Sequence, residues 1–224
     1  MFDGILLIDK PKDWTSHDVV AKVRGILKKE TGKKIKVGHT GTLDPLATGL
    51  MILVVGSYCK KAGDFSKLDK TYEASIRLGE ISTTADSEGE KTKISDKKPT
   101  LKEVEQVLQA FEGEIVQIPP AYSAIKVNGK RAYKLAREGK EVNIEPRKVT
   151  IYDIKLTFYE YPEVKFTTKV SSGTYIRTLA EDIGKKLKAG AYLSDLRRIE
   201  VGDSSIKDSI DIAKMSADKI KISL

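Results

Sequence analysis

Gly38-His39-Thr40-Gly41-Thr42-Leu43-Asp44-Pro45-Leu46-Ala47-Thr48-Gly49-Leu50 is the stretch from which the rest of the chain can be read. It holds three glycines, one of the chain's 2 histidines and an Asp-Pro pair, and it follows neither the helical nor the strand period. The apolar run Met51 to Val55 follows at once, which predicts a presenting loop leading into a central strand. Gly38, Gly41 and Gly49 permit positive φ or close backbone approach, while Pro45 fixes its own φ and drives Asp44 toward an extended conformation. Asp44 is therefore expected in a stiff local frame. Taken alone, an Asp before Pro only caps a turn.

Composition narrows the classes of function. The 224 residues suffice for one large domain or two small ones, and 40% hydrophobic with 32% charged residues describes a soluble globular protein. No apolar run approaches the roughly 20 residues that span a bilayer, and Asp3 does not suit a signal peptide, so the expected compartment is the cytoplasm. A lone Cys59 cannot form an internal disulfide, and 2 histidines with that cysteine offer no zinc set; no metal is expected. Lysine and arginine total 40 against 32 acids, a net charge of +8 that favours polyanionic partners. The bases gather in Lys28 to Lys36, Lys126 to Lys148 and Arg197-Arg198, the acids around Asp86 to Glu90. Gly32-Lys33 lacks the spaced first glycine and the following Ser or Thr of a phosphate loop, which excludes that nucleotide-hydrolase motif.

On the N-terminal side, Gly4 to Asp9 predicts a buried strand ending at Lys10-Pro11. Ser16 is the expected N-cap of a helix whose apolar stripe is Val19, Val20, Val23, Ile26 and Leu27, and Gly32 stops it. On the C-terminal side, Tyr72, Ala74, Ile76 and Leu78 alternate with Glu73, Ser75 and Arg77 as in a half-buried strand. Gly79 to Glu90 reads as a loop or hairpin end. Thr100 and Glu103 form a capping-box pattern before a helix with Val104, Val107, Leu108 and Phe111 inward, ended by Gly113.

Basic and aromatic residues interleave from Ala121 to Arg147, where Asn128-Gly129 marks a tight turn and 131–139 a short helix. Val149 to Phe158 and Val164 to Val170 read as long strands joined near Tyr161-Pro162, and a parity change at Tyr152-Asp153 predicts a bulge. A helix opens after Ser171-Ser172-Gly173-Thr174 with Arg177 in its first turn, where the helix dipole disfavours a cation. Either that arginine is solvated or it reaches a fixed carboxylate through its guanidinium fork. Ala191 to Val201 is a further strand. Strands of mixed length separated by helices point to an α+β fold with a mainly antiparallel sheet.

The Gly38–Leu50 stretch closely resembles the catalytic segment of the TruB family, tRNA pseudouridine synthases that act on uridine 55 of the T-loop. Further segments resemble that family along most of the chain: Lys10-Pro11 through Thr15-Ser16, with Asp13 where glycine is usual; Lys70-Thr71-Tyr72; Pro119-Pro120 through Lys126 with the Gly129 to Gly139 run; Gly173-Thr174-Tyr175-Ile176-Arg177; and Leu196-Arg197-Arg198. The resemblance implies a pseudouridine synthase fold with helices flanking the sheet and a catalytic domain over 1–203, in which about 119–147 is an insertion that grips the RNA. A short helical tail over 204–224 is expected, with no PUA-type C-terminal domain.

By the same resemblance Asp44 is the catalytic residue, paired with Arg177; Tyr72 packs on the target base, Tyr175 lies beside the pair, and Leu196 lines the uracil pocket. His39 fills the space of the flipped base, although a turn hydrogen bond is the simpler reading of that residue. Lys10, in the N-terminal motif, is an expected substrate-binding residue, and Lys126, Arg131, Arg137 and Arg147 are the implied backbone contacts. The reaction breaks the N-glycosidic bond, turns the base and rejoins it through carbon 5, so no cofactor is expected. Asp44 could attack the ribose or the base, or act as a base at the ribose 2′ position. The implied partner is the tRNA T-stem-loop, for a monomer with no obligatory protein partner. Two rival readings are a non-catalytic tRNA-folding module and the catalytic subunit of a guide-RNA-directed synthase.

Overall fold

The computed structural model describes residues 3–127 and 129–216. The chain divides into two compact units, Met1–Glu73 with Leu196–Leu224, and Ala74–Asp195.

The first unit opens with β1 (Gly4–Lys10), which buries alternate residues down to Lys10 itself. Helix α1 (Ser16–Thr31) is capped by Thr15 rather than Ser16. Asp18 can reach back to complete a capping box only from a cap at position 15, and it does so: the Thr15 hydroxyl accepts from the Asp18 amide while the Asp18 carboxylate accepts from the Thr15 amide. Val19, Val20, Val23 and Leu27 are buried, Ile26 half-buried, and Gly32 closes the helix in the left-handed region at φ 69°. Strand β2 (Val37–His39) pairs antiparallel with β3 (Thr48–Val55), as does β1 on its other edge. Flanked on both sides, β3 is buried from Gly49 to Val55, the central strand that its apolar run predicted. A 3-10 turn, Gly56–Lys61, holds the half-buried Cys59, and α2 (Ala62–Ser66) leads to β4 (Lys70–Leu78).

Strand β4 carries the chain into the second unit with Tyr72, Ala74, Ile76 and Leu78 buried. The Gly79 to Glu90 segment links a hairpin of β5 (Glu80–Ser82) and β6 (Lys91–Lys93). Helix α3 (Leu101–Gln109) has the expected Thr100–Glu103 capping box but closes at Ala110, because Gly113 at φ 101° already starts β7 (Gly113–Gln117). In the 119–147 stretch, β8 (Lys126–Val127) pairs with β9 (Lys130–Arg131), and α4 (Ala132–Arg137) follows; Asn128 of the expected turn lies outside the described residues. β10 (Arg147–Glu160) and β11 (Glu163–Val170) pair with a register shift between Ile151 and Asp153, where the parity change placed a bulge, and with another between Leu156 and Phe158. The sheet order here is β4-β11-β10-β7. Helix α5 (Ile176–Lys186) and β12 (Ala191–Val201) complete the unit, and β12 ends in the first.

Back in the first unit, β13 (Ser204–Ser205) pairs with β12, and β14 (Ile210–Asp211) with β1, giving the order β14-β1-β3-β12. The described part of the tail expected to be helical over 204–224 holds two 3-10 turns, Ile206–Asp208 and Ile212–Lys214, each capped by a side chain, Ser205 and Asp211. Such local side-chain bonds compete with a continuous helix. The rest of that tail, from 217 onward, lies outside the described residues. Most ladders are antiparallel; those of β1 with β14 and of β3 with β12 are parallel. Among the described residues no helix is long and apolar enough to cross a membrane.

Candidate active site

Asp44 projects from a loop that is pinned at several points within the first unit. The Ser16 hydroxyl, freed from capping, donates to the Leu43 carbonyl at 2.9 Å and accepts from the Leu43 amide at 2.8 Å. On the other side of Asp44, the Pro45 carbonyl accepts from the Asp13 amide at 2.8 Å and from Lys10 Nζ at 3.4 Å. Asp13 sits at φ 65°, the left-handed turn that a glycine usually supplies. The Ala47 amide closes a turn onto the Asp44 carbonyl at 3.1 Å. Asp44 itself is half-buried.

Arg198 ties the base of this loop. It is 2% exposed; its Nε donates to the Leu50 carbonyl at 2.7 Å and its Nη2 to the Gly41 carbonyl at 3.1 Å, spanning the loop's two ends. Arg197 pairs with Asp9 at 2.7 Å and bonds Thr48 Oγ1 at 3.3 Å. Of the three loop glycines only Gly49 uses positive φ, at 104°, and a Cβ there would lie 2.2 Å from the Arg198 carbonyl oxygen. Gly49→Ala is expected to cost at least about 3 kcal/mol from backbone strain and overlap together, a fall in Tm of about 6–12 °C; an unchanged melting curve would contradict the close packing of β3 on β12.

Two buried lysines and a half-buried histidine of this unit have shifted titration. Lys10 is fully buried, with Nζ donating to the Pro11 and Trp14 carbonyls at 2.9 and 2.6 Å, and burial pushes its pKa down to about 8, with nearby Asp44 opposing. Lys70, at the start of β4, is likewise pushed down to about 8 by burial and then by Arg198. Burial, followed by Arg198, also lowers the pKa of His39, whose Nδ1 is buried with no hydrogen-bond partner among the described residues. The turn hydrogen bond that would have been its simpler role is thus not made through Nδ1.

The Lys10 shift has a consequence for stability. Its folded pKa of about 8 lies below the free value of 10.5, so between these limits the unfolded chain binds a proton that the folded chain does not. Stability linked to Lys10 therefore rises as pH increases through that window. Urea unfolding of the wild type and of Lys10→Met should show the wild type gaining relative to the variant from about pH 7 to about pH 10; parallel curves would contradict it.

In the second unit, Arg177 lies in the first turn of α5 with only 6% of its side chain exposed. The solvated reading is thereby removed. Its Nη1 is 3.5 Å from Asp86 Oδ2 and 3.3 Å from the Thr84 carbonyl, and its Nη2 donates to the Tyr122 carbonyl at 2.8 Å. Asp86 is 2% exposed and held by the Thr84 hydroxyl at 2.5 Å and the Glu88 amide at 3.0 Å. The backbone of Tyr175 is clamped by the buried Gln117 amide, which donates to its carbonyl at 3.3 Å and accepts from its N–H at 3.0 Å.

Lys10, His39, Asp44, Tyr72 and Leu196 belong to the first unit and Tyr175, Arg177, Lys126, Arg131, Arg137 and Arg147 to the second. Tyr72 and Leu196 are 8% and 7% exposed. Lys126, Arg131 and Arg137 are exposed; Arg131 Nη1 bonds the Ala124 carbonyl, and the Arg137 guanidinium lies 5.7 Å from the Tyr133 ring centre. Arg147 is half-buried at the start of β10. Sequence reasoning gave no role to Asp86, Gln117 or Ser16's bond to the loop, and it passed over Arg198 as a positioning group. Only the charge of Asp86 and the Arg197-Arg198 pair left a trace that could have been followed. Among the described residues no group of three or more His, Cys, Asp or Glu side chains converges as a metal site would require.

Comparison with known proteins supplies the class. The structure superposes on the Cbf5-Nop10-Gar1 complex with a TM-score of 0.68 and 29% identity over 90% of this chain, and on an H/ACA RNP bound to a substrate RNA containing 2'-deoxyuridine with 0.65 and 26% over 97%. This chain spans 50% and 52% of those chains. The fold is that of the pseudouridine synthases.

Residues 26–176 match the TruB family pseudouridylate synthase N-terminal domain, and residues 177–221 match the tRNA pseudouridylate synthase B C-terminal domain. The tRNA pseudouridine synthase B of Clostridium novyi is 46% identical over 97% of this chain and 74% of its own length; that of Aquifex aeolicus is 41% identical over 94% and 72%; that of Endomicrobium trichonymphae is 44% identical over 97% and 94%. The chain belongs to the TruB family of pseudouridylate synthases.

Proposed function

We propose that this protein is a tRNA pseudouridine synthase that isomerises uridine 55 of the T-loop, with Asp44 as its catalytic carboxylate and no cofactor. The observation that carries this reading is the fixation of Leu43-Asp44-Pro45 by Ser16, Asp13 and Lys10, which presents one carboxylate from a rigid frame inside a family that isomerises uridine. Orientation of this kind lowers the barrier by removing the freedom that a mobile side chain would have to lose. The curated relatives, all named for tRNA, support the substrate class.

In this reading the target uridine is flipped out of the T-loop at a cost of a few kcal/mol. Tyr72 stacks on the base, a contact of roughly 1–3 kcal/mol, Leu196 closes the apolar side of the pocket, and the neutral His39 occupies the vacated position. Asp44 pairs with Arg177. It attacks the ribose or the base, or removes a proton at the ribose 2′ position; the base then turns and rejoins through carbon 5. Tyr175 sits beside this chemistry, and Lys126, Arg131, Arg137 and Arg147 hold the T-arm backbone. We place the reaction in the cytoplasm, on a protein that needs no protein partner.

Incubation with unmodified tRNA followed by carbodiimide treatment and primer extension should give one new stop in the T-loop. A stop elsewhere would overturn the site assignment, and none at all would overturn the activity. One structural neighbour comes from a Cbf5-Nop10-Gar1 complex and another from an H/ACA RNP bound to a substrate RNA, which favours a guide-directed subunit as the second reading. Modification of that tRNA by the protein alone, without added guide RNA or partner protein, excludes it.

A further inference from the structure

We infer that a lysine-lined groove on the first unit, away from the Asp44 loop, docks the phosphodiester backbone of the RNA substrate. This inference rests on the tRNA reading above.

The groove has a volume of about 970 Å³ and is lined by Lys33, Lys34, Lys36 and Lys60 together with Ser57 and Asp3. The four lysines are exposed. Asp3 is the groove's only acid, and its carboxylate accepts from the Ser57 amide at 2.5 Å. Among the described residues none of the four ammonium groups has a salt-bridge partner, whereas Lys148, Lys185 and Lys214 each pair with a neighbouring acid at 2.8, 3.1 and 3.4 Å. The helix dipole does not account for them, because Lys28 and Lys29 already occupy the last turn of α1 and the groove lysines lie beyond its Gly32 cap.

The backbone that carries the lysines is tied down. The Thr31 hydroxyl bonds the Leu27 carbonyl at 2.7 Å and the Lys33 amide at 3.2 Å, and the Lys36 carbonyl accepts from the Gly56 amide at 2.8 Å. Lys60 comes from the separate 3-10 turn after β3. The neighbouring Tyr58 and Lys61 pair with one another, Lys61 Nζ standing 4.4 Å from the Tyr58 ring centre, and do not line the groove. Unpaired cations converging from two fixed segments suit a nucleic-acid backbone.

The position gives the contact its meaning. Val37 pairs with Val55 at the groove end of β2 and β3, while Asp44 belongs to the loop at the other end of β3. An eight-residue strand at about 3.3 Å per residue separates them by roughly 25 Å. An RNA with its uridine at Asp44 meets the groove with backbone several nucleotides away.

The test is the combined variant Lys33→Gln, Lys34→Gln, Lys36→Gln, Lys60→Gln, with Lys102→Gln, Lys155→Gln, Lys165→Gln, Lys169→Gln as a control of equal charge change on the second unit. Binding of unmodified full-length tRNA is measured from low to high salt, with melting curves to verify folding. The groove variant is expected to bind about tenfold or more weakly at about 0.1 M salt, with a log-log salt slope shallower by about 2 or more, and the control to lose far less. Wild-type affinity and slope in the groove variant, or an equal loss in the control, would overturn the inference. A wild type that does not bind tRNA would overturn the proposed function instead, and the two failures are told apart in the same experiment.

Discussion

Asp44→Asn is expected to abolish turnover while tRNA binding stays within a few-fold of the wild type. The substitution keeps the shape of the side chain and removes its charge, and the loop around it is held by backbone and hydroxyl groups of other residues. Loss of a sole nucleophile or base lowers turnover by about 10⁴-fold or more. Single-turnover assays and filter binding on the same preparation separate chemistry from binding. Residual turnover within tenfold of wild type would remove Asp44 from the mechanism, whereas loss of binding together with turnover would mean that it only shapes the pocket.

The second large effect is expected at Arg177. Its fork serves Asp86, the Thr84 carbonyl and the Tyr122 carbonyl from one buried position. A lysine keeps the charge but is a point donor, so Arg177→Lys should misplace the group and cost at least about 10²-fold in turnover. Truncating the acid instead, as Asp86→Ala, leaves a buried guanidinium without that counter-charge and should destabilise the fold by about 3–5 kcal/mol. Kinetics for the first variant and urea unfolding for the second test the two statements separately. Unchanged kinetics in Arg177→Lys would reduce the arginine to a structural role, and wild-type stability in Asp86→Ala would show the pair to be solvated.

What could be read from the sequence followed from local signals. Glycine at positive φ after α1, the Thr100–Glu103 box, the buried run of β3 and the parity change in β10 each act over a few residues, and each appears at its expected place. The central segment was legible for the same reason, since Asp44 and its Pro45 neighbour restrict one another directly. The misses have the opposite character. Ser16 looked like a cap because nothing nearby reveals that its hydroxyl is used by Leu43, 27 positions away. Arg198 reaches Gly41 across 157 positions, and Asp86 finds Arg177 only after the chain has passed through α3, β7, β10 and β11. Gln117, an ordinary residue at the end of an edge strand, has no local mark of its grip on Tyr175. Bonds that close long loops leave no periodic trace, and the frame that fixes the site is built mostly from them.

The rival readings differ in what they allow without chemistry. A folding module would remodel tRNA equally well with Asp44 replaced, and a guide-directed subunit would be idle without its RNA. The measurement that separates these most directly is tritium release from unmodified tRNA labelled at uridine carbon 5, with the protein alone and with its Asp44→Asn variant. Because the new carbon–carbon bond displaces the carbon 5 hydrogen, the account predicts stoichiometric release by the wild type and none by the variant. Equal release from both, or none from a wild type that binds the tRNA, would contradict it.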